Sequence, residues 1–83
     1  MNIHVSNLSL NIIDADLRRL FTQYGEVNSA EIIRDKYNGR SKGTALVNMP
    51  EEKEAQQAII SLDHSTMDGK IIKVEEQRAA QSW

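Results

Sequence analysis

Two stretches of this chain carry apolar residues at helical spacing, and four others carry them at every second position. Leu17, Leu20, Phe21 and Tyr24 fall at i, i+3, i+4 and i+7, and Ala55, Ala58, Ile59 and Leu62 repeat that spacing. Each set predicts a helix with one apolar stripe and a polar back. Gly25 stands where a glycine would end the first helix. Pro50, followed by Glu51, Glu52 and Glu54, opens the second with carboxylates near its positive end. The first helix lacks a Ser or Thr cap, because Ile13 holds that place, so Asn11 or Asp14 is expected to serve instead.

Alternation predicts strands over roughly residues 2–6, 27–34, 43–49 and 70–75. Asn38-Gly39 is a turn signal that makes the second and third strands an antiparallel pair, and Asp68-Gly69 introduces the last. The order strand, helix, strand occurs twice. Two such units build an α+β, ferredoxin-like βαββαβ sandwich, with a four-stranded antiparallel sheet and both helices on one face. Ile3, Val5, Ala30, Ile32, Ala45, Val47, Ile72 and Val74 are the expected inward set, and the opposite face of the sheet is left bare. The expected domain is 1–76, followed by a tail over 77–83.

Eighty-three residues make one compact domain, and 40% hydrophobic content is compatible with an unstapled core. The absence of cysteine excludes disulfides, thiolate metal sites and thiol nucleophiles. Asp14, Asp16, Arg18 and Arg19 interrupt the first twenty residues, which excludes a signal peptide there, and no run is long enough to span a bilayer. The cytoplasm is the expected location. A net charge of −2 argues against strong electrostatic attraction to phosphates. Arg34, Lys36, Arg40 and Lys42 nevertheless crowd one short region, opposed there only by Asp35. Taken alone, such a cluster is an ordinary solvated loop.

Two segments carry a resemblance. Ile3-His4-Val5-Ser6-Asn7-Leu8 and Lys42-Gly43-Thr44-Ala45-Leu46-Val47-Asn48-Met49 resemble the paired ribonucleoprotein signatures of the RNA recognition motif family. Asp16-Leu17, Phe21 and Tyr24-Gly25-Glu26-Val27 are similar to its first helix and exit turn. Ile32-Ile33-Arg34-Asp35 with Asn38-Gly39-Arg40-Ser41 is similar to its second strand and following loop. Ala55, Ala58-Ile59, Leu62-Asp63, Met67, Gly69-Lys70 and Val74 continue the match, with His64 where many members carry Gly. His4, Thr44, Leu46 and Met49 fill the family's aromatic positions, so the signatures are atypical. The starting Met and the coverage suggest a small free-standing domain of the form known from bacterial members.

The resemblance implies single-stranded RNA binding, with bases laid on sheet aromatics and phosphates held by basic residues. Each base–aromatic stack is worth about 1–3 kcal/mol, so two missing platforms lower affinity by a factor of about thirty or more. The expected contacts are Lys42 and Arg40 with phosphate, His4 by stacking, and Thr44, Leu46 and Asn48 by shape or polar contact. Lys73 and Arg78, with Arg34, extend the cationic set, but Glu31, Glu75 and Glu76 lie close enough to pair with them. His4 has a second reading as a strand histidine packed beside Leu46. The competing function is protein interaction or self-association through an aliphatic patch of Ile33, Leu46 and Ile71. Trp83 is a candidate to fold back over that patch, against the usual fraying of chain ends.

No catalytic, cofactor or metal site is expected. Glu51, Glu52 and Glu54 read as a helix start, and His4 and His64 lack companion ligands. Acylphosphatases share the architecture, but Ser6-Asn7-Leu8-Ser9-Leu10 lacks the glycine a phosphate cradle needs. Copper chaperones need a Cys pair. Met49 and Met67 read as core.

Overall fold

The computed structural model of the chain describes residues 1–77. Alternation and helical spacing become, in order, β1 (Asn2–Ser6), α1 (Asp14–Thr22), β2 (Ser29–Arg34), β3 (Ser41–Asn48), α2 (Glu52–Leu62), β4 (Thr66–Met67), β5 (Lys70–Ile71) and β6 (Lys73–Glu76). The main sheet runs β2-β3-β1-β6, with every neighbouring pair antiparallel. Both helices lie against one side of it. Leu17 and Phe21 of α1 and Ala55, Ala58 and Leu62 of α2 are buried with Ile3, Val5, Ile32, Ala45, Val47, Ile72 and Val74. Leu20, Tyr24 and Ile59 complete the two stripes as half-buried neighbours; Ala30 of the expected inward set stays half-buried, as does Met67, while Met49 is buried as expected. The expected βαββαβ sandwich is therefore the one that forms.

Four local expectations change. The predicted strand over 70–75 is divided. Lys70 and Ile71 pair with Met67 and Thr66 in a small ribbon, and only Lys73–Glu76 joins β1. Between them Ile72 is buried, its N–H donating to the Ser65 carbonyl at 2.9 Å and its carbonyl accepting from the His64 N–H at 2.9 Å. The second strand begins at Ser29, two residues later than expected, and the Val27 carbonyl before it accepts from the Arg18 guanidinium at 3.1 Å. The first helix is capped by neither Asn11 nor Asp14. The Asp16 carboxylate reaches back to the Ile13 N–H at 3.2 Å, while Asp14 accepts from the Ile32 N–H at 2.9 Å. Gly25 lies three residues beyond the end of α1, with φ +155 and no room for a Cβ, which would overlap the Glu54 side chain. Glu54 in turn accepts from the Glu26 N–H at 3.2 Å, tying α2 to the loop that leaves α1.

A candidate nucleic-acid interface

The strand period of two decides which side chains reach the face away from the helices. In β3, Gly43, Ala45 and Val47 are buried while Lys42, Thr44, Leu46 and Asn48 are not. In β1, Ile3 and Val5 are buried while Asn2, His4 and Ser6 are not. Register then lines these side chains up in rows. Glu31, Leu46, His4 and Glu75 stand opposite one another across all four strands. One step along, Ile33 faces Thr44 and Ser6 faces Lys73. On the other side of the central row, Ser29, Asn48 and Asn2 are in register, and the Asn48 amide donates to Asn2 Oδ1 at 2.6 Å. His4, Thr44, Leu46, Asn48 and Lys73 thus share one open surface, with Lys42 exposed at its margin.

Gly43 explains how Lys42 is presented. Ile33 pairs with Thr44 but Arg34 pairs with Ser41, so Lys42 and Gly43 form an irregularity in the ladder. Gly43 has φ +77 and lies against the Leu8 carbonyl, which a Cβ would approach to 3.2 Å. Its own carbonyl accepts from the Leu8 N–H at 2.9 Å. A side chain at this position would be strained twice over, by its backbone angle and by the chain beside it.

Charge on the face is mixed. His4 Nδ1 lies 3.8 Å from Glu75 Oε2, and Lys73 Nζ lies 3.7 Å from Glu75 Oε1. The Glu75 carboxylate therefore sits between His4 and Lys73, as the pairing alternative for Lys73 anticipated. Such surface pairs contribute little to stability, but they reduce what Lys73 offers a phosphate. His4 lies opposite Leu46 in register, and its side chain is 28% exposed. Both packing and partial access are thus available to it. Arg40 and Lys42 are exposed near the β2–β3 connection, with Arg34 at the end of β2.

That connection is tightly organised. Asp35 Oδ1 accepts from the Tyr37 N–H at 2.8 Å and the Asn38 N–H at 3.2 Å. The Asp35 carbonyl accepts from the Gly39 N–H at 2.8 Å, and its N–H donates to the Arg40 carbonyl at 2.7 Å. The N–H groups of Tyr37 and Asn38, then the charge of Lys42, hold the Asp35 carboxyl below its ordinary value of 3.8. At the tip, Tyr37 is 86% exposed with Lys36 Nζ 5.4 Å from its ring centre. Reading the sequence for core stripes and signature positions passed over Tyr37. The available signal was an aromatic interleaved with cations in a segment that has no strand or helix period to bury it.

The predicted aliphatic patch is not continuous across the sheet. Leu46 is 36% exposed and Ile33 is half-buried, but Ile71 belongs to the β4–β5 ribbon. Its carbonyl accepts from the Asn7 side chain at 2.7 Å, which fixes the ribbon beside the end of β1. Arg78 and Trp83 lie outside the described residues. Among the described residues, no cluster of His, Asp or Glu could hold a metal ion, and no helix is long and apolar enough to cross a membrane.

Comparisons with known proteins agree with this geometry. The 28 kDa chloroplastic ribonucleoprotein of Nicotiana sylvestris is 42% identical over 72 residues, covering 87% of this chain and 26% of that protein. The chain thus spans about a quarter of that curated relative's length. Such relatives include plant and insect proteins, and they lend no support to the expectation of an atypical, bacterial-type member. A crystal structure of RNA Binding Protein PG1 superposes with a TM-score of 0.93 at 38% identity, covering 99% of both chains. An Sxl-lethal protein/RNA complex superposes with a TM-score of 0.91 at 34% identity, covering 96% of this chain and 48% of that one. The family profile described as RNA recognition motif matches residues 3–73. With the sheet order, the two signature strands side by side and most of the length matched, this chain belongs to the RNA recognition motif family.

Proposed function

We propose that this domain binds single-stranded RNA weakly and with low sequence specificity, through the open sheet face and the basic loop beside it. The observation that carries the reading is the row structure of that face. His4, Thr44, Leu46 and Asn48 stand next to one another with Lys42 at the margin. Bases lie against His4 and the side chains around it, while Lys42 and Arg40 hold phosphate. Relatives named as ribonucleoproteins, and a similar chain seen in a protein/RNA complex, support the same ligand class. Weakness follows from chemistry. Thr44 and Leu46 offer no π-surface, and Glu31 and Glu75 place two carboxylates in the central row. The expected affinity is on the order of 10⁻⁵ M at moderate salt.

Fluorescence anisotropy with labelled pyrimidine-rich and purine-rich single-stranded RNA tests this. Binding should weaken as salt rises, and Lys42→Ala should weaken it for every sequence while lowering the salt slope by about 0.7. Absence of binding to all of these RNAs at low salt would remove the reading. The alternative, a protein-interaction or self-association module, rests on Leu46 and Ile33 once Ile71 leaves the sheet. Sedimentation over a range of concentrations, with Leu46→Lys for comparison, tests it. A strictly monomeric protein unchanged by Leu46→Lys counts against self-association.

A further inference from the structure

Tyr37 is the most exposed large hydrophobic side chain among the described residues, at 86%. A tyrosine ring left in water forgoes the burial that usually holds aromatics in place. Here the ring is presented by a backbone that five hydrogen bonds hold in one shape. Four join Asp35 to Tyr37, Asn38, Gly39 and Arg40, and the fifth runs from the Arg40 N–H to Asn38 Oδ1 at 2.9 Å. The single carboxylate in the segment is committed to two of those N–H groups. It is therefore already satisfied within the loop. Lys36 lies over the ring, and Arg34, Arg40 and Lys42 are exposed close by in sequence, Lys42 acting on Asp35 only through its charge.

An exposed ring beside several cations fits a ligand that is planar and anionic in alternation, which describes a nucleotide strand. We propose that Tyr37, with Lys36 and Arg40, forms a base-stacking subsite on the β2–β3 loop. It accepts a nucleotide that has passed beyond the sheet face. This rests on the RNA-binding reading above and deepens it: the loop supplies an aromatic surface that Thr44 and Leu46 do not. Because the backbone is already held, stacking there carries little ordering cost.

Anisotropy titrations of one labelled single-stranded RNA against wild type, Tyr37→Ala, Tyr37→Phe and Lys42→Ala test the assignment. Tyr37→Ala should lose about 5- to 150-fold in affinity, the range of one base–aromatic stack, while Tyr37→Phe retains the wild-type value. The loop's hydrogen bonds use backbone groups of residue 37, so both variants should keep the fold. As a second readout, Tyr37→Trp in a Trp83→Phe background should have its emission quenched when the RNA is added. If wild type binds and Lys42→Ala weakens binding, but Tyr37→Ala matches wild type and the emission is unmoved, the subsite is overturned and the sheet-face reading stands. If wild type binds no RNA, both fall together.

Discussion

His64 adopts φ +67, a left-handed conformation that costs a side chain energy and glycine very little. This is the position where the sequence departs from the many family members that carry Gly. The Asp63 carboxylate lies 3.2 Å from His64 Nδ1, an exposed pairing of small worth. His64→Gly should therefore raise stability by about 0.5–1 kcal/mol after the added freedom of the unfolded chain is subtracted, measured as a later urea midpoint. Asp35 makes a second prediction at this scale. Its carboxyl titrates below 3.8 in the folded protein, chiefly because of the Tyr37 and Asn38 N–H groups. A depressed folded pKa stabilises above the ordinary value, and that contribution is lost as pH falls through the folded value. The Tyr37 and Asn38 amide resonances should move together with a midpoint below 3.8, and a midpoint at or above it would contradict the hydrogen bonds. Such details were not legible in the chain. Periodicity records which face a residue takes, whereas Gly43 and His64 answer to a local backbone angle and a neighbouring carbonyl.

At the scale of elements, alternation and helical spacing identified both helices and three of the four sheet strands, because those segments bury one face and leave the other in water. The last strand was misread in extent. Ile72 and Val74 alternate with Ile71, Lys73 and Glu75, yet its first two residues turn aside to pair with Thr66 and Met67. Pattern cannot distinguish pairing partners. Capping was also hidden, since Asp14 and Asp63 are spent on strands. Asp14 accepts from Ile32 in β2, and Asp63 accepts from the Val74 N–H in β6 at 2.8 Å. These are the two edge strands, so each edge has a donor covered by a carboxylate at a helix end, which lowers its tendency to pair with another chain. On the proposed reading, the element that sets affinity is β3. Replacing Leu46 with Phe puts an aromatic directly opposite His4 on the open face. Leu46→Phe should strengthen single-stranded RNA binding by about 5- to 150-fold, read by anisotropy. No gain would mean that bases do not lie over this row.

The whole molecule has two unlike faces. One side carries the helices and the core, and the other carries rows of polar, aliphatic and imidazole groups with cations at one end. Net charge of −2 leaves little general attraction for RNA, so whatever binding occurs must come from that local arrangement. Amide chemical-shift mapping with a pool of random single-stranded RNA tests this most directly. Shifts should concentrate at His4, Lys42, Thr44, Leu46 and Asn48, extend to Tyr37 and Arg40, and leave the outer surfaces of α1 and α2 unmoved. Shifts confined to the helices, or none at low salt, would contradict the account.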